Sequence, residues 1–133
     1  MTLHSFLLIS LLTFQSCGSD NSNTVKEVSE TFDTFNIKFH SDSLFQISRI
    51  KFPLQGKQID AFEEREWTLK NWVMLKVPVT ERVDTTEYKH TLKKTSTKVE
   101  EAYWMGESGF SVERHFELKD GKWYLTFIND VNL

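Results

Sequence analysis

The sequence predicts an α+β domain, with N-terminal helices packed on a curved antiparallel meander sheet. Asp120-Gly121 stands between two alternating runs and predicts a hairpin, because a type I′ turn needs positive φ at both central residues. The same alternation extends back to Thr86, so the apolar side chains of successive strands share one face. Upstream, apolar residues recur at three- and four-residue spacings, which indicates a helix with one apolar stripe. That stripe suits the bare inner face of the sheet.

The hairpin also predicts a register for the whole meander. Short turns at Glu107-Ser108 and Thr95-Ser96 keep the apolar residues of every strand on the inner face. A slip of one residue would turn a strand over, so this agreement supports the register. The expected cross-strand pairs are Leu118 with Trp123, Phe116 with Leu125, Arg114 with Phe127, Met105 with Phe110, Tyr103 with Val112, Glu101 with Arg114, Val99 with Phe116, Leu92 with Val99, His90 with Glu101 and Tyr88 with Tyr103.

This register places three titratable side chains, His90, Glu101 and Arg114, in one row with Phe127 on the apolar face. Cross-strand neighbours have Cβ atoms about 5 Å apart, so Glu101 can reach both other groups. Buried charges must pair or meet water, and two interpretations stay open. The row is either a satisfied ion pair in a closed core or part of a ligand pocket under the helices. The candidate pocket residues are Tyr88, His90, Glu101, Tyr103 and Arg114.

The N-terminal part of the domain is expected to be helical. Residues 24–27 form a capping-box pattern, which predicts a helix over residues 25–39. Lys38 and His40 lie at its C-terminal end, where cations suit the helix dipole. The residues of the apolar stripe are Val25, Val28, Phe32, Phe35 and Phe39.

A second helix and a hairpin are expected before the meander. Ser41-Asp42-Ser43 is typical of a helix start, and the helix is expected to reach about Ser48. A strand is expected from Arg49 to Leu54, because the turn residues Gln55-Gly56-Lys57 would end it. Residues 58–65 are expected to pair back on that strand.

Trp67 and Trp72 allow two interpretations. They can close one end of the core, or an indole face can pack on a sugar ring. Trp104 belongs to the second interpretation, because the register places it on the outer face. Quenching of tryptophan fluorescence by glycans would separate the two.

Residues 1–16 are expected to be a signal peptide. Their apolar run of about nine residues is shorter than the roughly 20 that span a bilayer. Leu12 to Gly18 resembles a bacterial lipobox, with a small residue before the only Cys. The resemblance implies cleavage before Cys17, its lipidation and a place in the cell envelope, with the outer membrane favoured because Gly18-Ser19 lacks an acidic retention residue. The alternative is an ordinary cleaved signal that leaves Cys17 as a free thiol.

The remaining chain is expected to form a single domain. Residues 17–23 comprise the lipidated Cys and a polar tether, because Ser, Asn and Asp predominate there. Residues 24–133 are expected to be one α+β domain, long enough for a moderate core.

Composition and motifs argue against several classes of function. The net charge is −3 and no sustained basic face exists, which argues against nucleic acid as a partner. No thiol remains once Cys17 is lipidated, and the histidines are dispersed, so no metal site is expected. No phosphate-binding loop or nucleophile elbow is present, so no cofactor is expected. The strongly charged outer face favours a monomer or a weak dimer.

Two parts of the sequence together resemble a known fold family. Helices over a meander that ends in Gly-Lys-Trp-Tyr-Leu, residues 121–125, look like the nuclear-transport-factor-2-like (cystatin-like) fold. Residues 32–54 resemble a family of lipoproteins of that fold from Gram-negative gut anaerobes, and the resemblance covers about residues 25–130. The resemblance implies the fold, which includes isomerases, dehydratases and binding proteins, but no catalytic pattern matches here. The matching residues are Phe39, Asp42, Phe45-Gln46, Arg49-Ile50 and Phe52-Pro53-Leu54.

The sequence therefore favours a lipid-anchored, non-enzymatic domain that binds a small molecule or an envelope protein. The alternative is a pocket enzyme that resembles isomerases or dehydratases. In that alternative, His90 or Glu101 acts as general base and Arg114 stabilises an anionic intermediate.

Overall fold

The computed structural model describes residues 28–80 and 86–133. The expected signal peptide, Cys17, the tether over 17–23 and the capping pattern over 24–27 lie outside the described residues and stay predictions. The elements within the described residues are α1 (Phe32–Ser41), α2 (Ser43–Ser48), β1 (Ile50–Asp60), β2 (Glu63–Trp67), β3 (Lys89–Lys94), β4 (Lys98–Met105), β5 (Phe110–Lys119) and β6 (Lys122–Asn132).

The strands form one sheet in the order β2-β1-β6-β5-β4-β3. β3 to β6 follow one another as the predicted antiparallel meander. β1 lies antiparallel to β2 but parallel to β6, so the sheet joins two antiparallel parts through one parallel junction. Phe32 and Phe39 of α1 pack edge-on against Phe116 of the inner face. The predicted α+β class is confirmed.

α1 begins later than the predicted start at residue 25. The Thr31 hydroxyl accepts a hydrogen bond from the Thr34 backbone N–H at 3.3 Å and caps the helix at that point. Val28, which was predicted to lie on the apolar stripe, precedes the helix and is 91% exposed. The part of the stripe that is buried in the core consists of Phe32, Phe35 and Phe39.

α2 agrees with its prediction, but the turn predicted after β1 is wrong. β1 continues without a turn through Gly56 to Asp60, and the chain turns at Ala61-Phe62 before β2 pairs back. Gly56 has φ 95°, and a Cβ there would lie 2.0 Å from the carbonyl oxygen of Ile128. Glycine at this position therefore serves the close approach of β1 to β6 rather than a turn.

The predicted register holds between β4 and β5 and at the start of the β5–β6 hairpin. A bulge in β6 at Thr126 then shifts the pairing, so Arg114 faces Ile128 and His115 faces Phe127. Phe127 was predicted on the inner face, but it lies on the outer face and stacks on His115, with ring centroids 4.6 Å apart. Ile128 takes the inner position and is 1% exposed.

The β3–β4 register differs from its prediction by two residues, and His90 faces Tyr103 rather than Glu101. The turn lies one residue further along because the Thr95 hydroxyl accepts a hydrogen bond from the Lys98 backbone N–H at 2.9 Å. A two-residue shift preserves the alternation of faces, so His90 stays on the inner face. The other two predicted pairs of this hairpin are wrong for the same reason, namely Leu92 with Val99 and Tyr88 with Tyr103.

Candidate functional site

The buried charges of the inner face centre on one ion pair between β4 and β5. Arg114 Nε lies 2.5 Å from Glu101 Oε2, and the two side chains are 4% and 2% exposed. The other carboxylate oxygen of Glu101 lies 3.1 Å from His90 Nε2. His90 reaches it diagonally, because its cross-strand partner is Tyr103, two residues along β4 from Glu101. The three side chains therefore meet as predicted, although Ile128 replaces Phe127 beside them.

A second histidine, at the end of α1, completes this network and was not predicted. Arg114 Nη1 donates to the Val77 carbonyl oxygen and to His40 Nε2, both at 3.1 Å. Because that nitrogen accepts, the proton of a neutral ring is on Nδ1, which lies 2.8 Å from the carbonyl oxygen of Asn36. Burial above all, with the charge of Arg114, lowers the pKa of His40 to about 4. His40 is therefore neutral at pH 7 and does not act as the helix-end cation that its position suggested.

The side-chain amides of Asn36 and Gln46 are buried, and their hydrogen bonds hold residues 68–80 over the inner face. The Asn36 side chain donates to the Val79 carbonyl oxygen at 2.8 Å and accepts from its N–H at 3.0 Å. The Gln46 amide, which is fully buried, donates to the Leu75 carbonyl oxygen and accepts from the Leu75 N–H and the Trp72 indole. Across the part of the chain that the structure describes, every buried side-chain nitrogen or oxygen has a hydrogen-bond partner. The ion pair thus lies in a fully bonded interior.

Beyond the ion pair, the inner face carries a second group of side chains, which we call the mouth. The Tyr88 and Tyr103 rings each lie with their centroids 6.0 Å from that of Phe110. Asp130 is the neighbour of Val112 on one side, and Tyr103 is its neighbour on the other. These side chains are half-buried, unlike the ion pair beneath them. The mouth is formed by Tyr88, His90, Tyr103, Phe110 and Asp130.

Two acidic groups of the mouth have shifted pKa values. Burial raises the pKa of the Tyr103 hydroxyl, and the charge of Arg114 opposes that shift. Burial, followed by repulsion from Asp60, raises the pKa of the Asp130 carboxyl. Asp130 was not predicted as a site residue, because its inward direction depends on the bulge before it, which the sequence pattern does not reveal.

The outer face carries an open groove of about 780 Å³. It lies where β1 bows away from β6, since five positions separate Ile50 from Gln55 while two separate their partners Leu125 and Phe127. Acidic and basic side chains alternate along it, and Glu117 is paired with Lys119 at 3.0 Å. The groove was not predicted. Its lining includes Lys51, Gln55, His115, Glu117, Tyr124 and Phe127.

The tryptophans differ in what they expose. Trp67 is 3% exposed and its indole N–H donates to the Ile128 carbonyl oxygen at 2.9 Å, so it has no free face for a sugar. The Trp72 ring packs on Trp67 with centroids 5.5 Å apart. Trp104 is half-buried on the outer face, beside Ser111.

Among residues 28–80 and 86–133, no group of three or more His, Cys, Asp or Glu side chains is arranged to hold a metal ion. Within the same residues, no helix has the length and apolar character needed to cross a membrane.

The geometry defines a class of protein: a sheet closed by helices at one end of its inner face and lined by aromatic and charged groups at the other. A protein-family model whose description reads only "-like" matches residues 30–132. A search of curated proteins found no match.

Solved structures of Bacteroides proteins share this architecture. A cystatin-like protein from Bacteroides caccae is 26% identical, with a TM-score of 0.60 over 77% of each chain. A protein from Bacteroides uniformis is 33% identical, with a TM-score of 0.55 over 78% of this chain and 77% of its own. An NTF2-like protein from Bacteroides fragilis shares the fold at 23% identity, with a TM-score of 0.53 over 79% of this chain and 48% of its own. The chain belongs to the family that this model describes, and its solved relatives include a Bacteroides protein described as cystatin-like. The predicted fold resemblance is confirmed, and the lipoprotein part of that resemblance stays a prediction.

Proposed function

We propose that the protein is a non-enzymatic binding domain, held at the cell envelope by a lipid on Cys17, and that a small molecule binds at the mouth. One observation carries the preference for binding over catalysis: the charged groups beneath the mouth are bonded to one another. Both oxygens of Glu101 have partners, and His40 is neutral and engaged through both ring nitrogens. A general base needs a free lone pair within reach of the substrate. This network offers a rigid floor instead.

The side chains above that floor supply the surface for a ligand. Tyr88, Tyr103 and Phe110 are half-buried, so part of each side chain is accessible to solvent. Ligand sites are mostly apolar and aromatic, with a few polar groups that fix orientation. His90, the cross-strand partner of Tyr103, and Asp130, the cross-strand partner of Val112, provide such polar groups on the same face.

A pocket enzyme is the second candidate, and one contact favours it. His90 Nε2 lies 3.1 Å from the Glu101 carboxylate, an arrangement that can orient an imidazole as a general base. NMR titration of the histidine ring nitrogens separates the two candidates. A His90 that titrates near neutral pH supports the enzyme, whereas a His90 that does not titrate supports the binding domain.

The lipid anchor can be tested on the protein expressed with its leader. The wild-type chain is expected to partition into detergent and to carry the mass of acyl chains, because two or more chains hold a protein stably on a membrane. Cys17→Ser is expected to stay in the aqueous phase. Equal partitioning of both proteins would contradict the anchor.

The binding site can be tested by thermal shift against small organic acids, amines, sterols and glycan fragments. A ligand at 100 times its Kd stabilises a protein by roughly 2.7 kcal/mol, which is readily measured. A hit that Tyr103→Leu abolishes and Tyr124→Leu retains supports the mouth, because Tyr124 lines the outer groove. The opposite pattern moves the site to the groove, and no hit in any class contradicts a small-molecule site.

A further inference from the structure

We infer that the mouth selects an organic cation, a small molecule that carries an ammonium group. The inference rests on the proposed function, because it names the chemical class of ligand for the same site. Three features carry it: aromatic rings in mutual contact, an inward carboxylate without a donor, and a neutralised floor.

The rings provide the faces that a cation needs. Phe110 lies at the centre, with the Tyr88 ring at 6.0 Å and 73° and the Tyr103 ring at 6.0 Å and 43°. Rings inclined in this way present faces and edges toward one volume rather than a single flat platform. A ligand cation within about 6 Å of such a ring face is attracted by its negative face, and ammonium ligands are commonly held in aromatic cages.

The carboxylate of Asp130 provides the opposite charge. Its position puts the buried Val112 between it and Tyr103, which places two strand spacings, about 10 Å, between the Cα atoms of Asp130 and Tyr103. Desolvation and the neighbouring Asp60 act on this carboxyl, and no hydrogen bond from a described residue is among the interactions that set its pKa. A half-buried carboxylate that lacks a donor is stabilised when an ammonium group binds beside it.

The charges around the mouth leave an excess of negative charge. Arg114 and Glu101 cancel each other at 2.5 Å, and Arg65 is paired with Glu63 at the same distance further along the inner face. Among the described residues, Asp60, which also interacts with Arg65, and Asp130 carry the remaining negative charge, so the local balance favours a cation over an anion. The charged and titratable groups that face this volume from the packed strands and from α1 are His40, Asp60, Tyr88, His90, Glu101, Tyr103, Arg114 and Asp130.

Calorimetric titration with a matched set of probes tests the inference on the purified protein. The probes are choline, its neutral carbon isostere dimethylbutanol, and the trimethylacetate anion. Choline is expected to bind at least about tenfold more tightly than the isostere, which differs only in charge. Asp130→Asn is expected to weaken choline binding about tenfold and to leave the isostere unchanged, while Asp120→Asn at the exposed β5–β6 turn changes neither.

A second variant separates ring from charge. Tyr103→Phe keeps the aromatic face and is expected to retain choline, whereas Tyr103→Leu loses it. Choline binding is also expected to weaken as the pH falls through the pKa of Asp130, because a protonated carboxyl gives no ion pair.

The outcomes distinguish this inference from the function beneath it. Equal affinity for choline and its isostere, or full choline binding by Asp130→Asn, overturns the inference of a cationic ligand and leaves the proposed binding domain intact. A preference for trimethylacetate indicates that Arg114 binds an anion, and it likewise overturns only the inference of a cationic ligand. If no probe binds at millimolar concentration and the wider screen also gives no hit lost in Tyr103→Leu, both are overturned.

Discussion

On the inner face, Arg114 and Glu101 form an ion pair at 2.5 Å with side chains 4% and 2% exposed. On the outer face of β4, which also carries Glu101, Lys98 and Glu100 form one at 2.7 Å with side chains 41% and 34% exposed. The contact distances are alike, but the surroundings differ. The two charges of a buried pair have lost their hydration, so each depends on the other. The charges of an exposed pair stay in contact with water, so water replaces the lost hydrogen bonds when one partner is removed. Position, not geometry, decides what each pair does for the fold.

The largest expected effect comes from removing one partner of the buried pair. Glu101→Ala leaves Arg114 buried without its counter-charge and is expected to lower the free energy of unfolding by about 3–5 kcal/mol. Glu100→Ala on the outer face is expected to lower it far less, because water screens an exposed pair. Urea denaturation of the two variants measures the difference, and equal losses would contradict the contrast between the faces.

A double replacement tests whether the buried pair serves more than stability. Replacing both residues, as Glu101→Met with Arg114→Met, removes both desolvated charges and is expected to change stability by about 1 kcal/mol or less. His90 and His40 each lose a partner in this variant. If the double variant is stable but no longer binds any ligand, the pair contributes to ligand binding and not only to the stability of the fold.

The next effect is the pH dependence contributed by the inner histidine. The pKa of His40 in the folded protein is about 4, below the ordinary histidine value of 6.5, so its stabilising contribution is full above pH 6.5 and is lost as the pH falls toward 4. After a discount for its partial exposure, the loss is on the order of 1–2 kcal/mol. Urea denaturation between these pH values is expected to show a flatter profile in His40→Asn than in wild type. His115→Asn on the outer face should keep the wild-type slope, and an unchanged slope in His40→Asn would contradict this role.

The smallest expected effect has the opposite sign. The pKa of Asp130 is raised in the folded protein, so its contribution favours folding at low pH and is lost as the pH rises through that raised pKa. At pH 7 the charged group is therefore unfavourable, and Asp130→Asn is expected to stabilise the protein by about a few tenths of a kcal/mol, since the group is partly solvated. Thermal denaturation at pH 7 measures this, with Asp120→Asn as the control. A clear destabilisation would show that Asp130 has a structural partner.

Most of the inner face could be predicted from alternation alone. The pairs from Val99 with Phe116 to Met105 with Phe110 follow from parity, because burying one face permits only one register. The Asp120-Gly121 turn fixed the start of the last hairpin for a similar reason: both residues have positive φ, 49° and 74°. Local chemistry and one-sided burial act together in these segments.

The errors arose where local chemistry was ambiguous. The β3–β4 turn has no glycine, so a hydrogen bond of Thr95 decides its position, and several neighbouring residues could have made a similar bond. The bulge at Thr126 exchanges Phe127 for Ile128 on the inner face, and both are apolar, so composition does not choose between them.

The candidate site was predicted in part. His90, Glu101 and Arg114 came together because they share a sheet, whereas His40 reaches Arg114 from α1, far away in the sequence. A signal did exist: Asn36 and His40 are four residues apart and lie beside the buried phenylalanines, which places two polar side chains on the covered side of a helix. Such residues need partners, and among the described residues their side chains bond to Arg114 in the sheet and to Val79 in the segment over it.

β6 is synthesised after every other described strand, yet it lies between β1 and β5. Until it is in place, the α1–α2–β1–β2 part and the β3–β4–β5 part each expose an unpaired strand edge, which is a template for contact with other chains. The apolar rings of α1 also lack Trp123 and Leu125 until then. A nascent chain that stalls before Lys122 is therefore two incomplete halves at risk of aggregation. Docking of this single strand turns them into one domain, so closure of the sheet is expected to wait until Lys122–Asn132 has been synthesised.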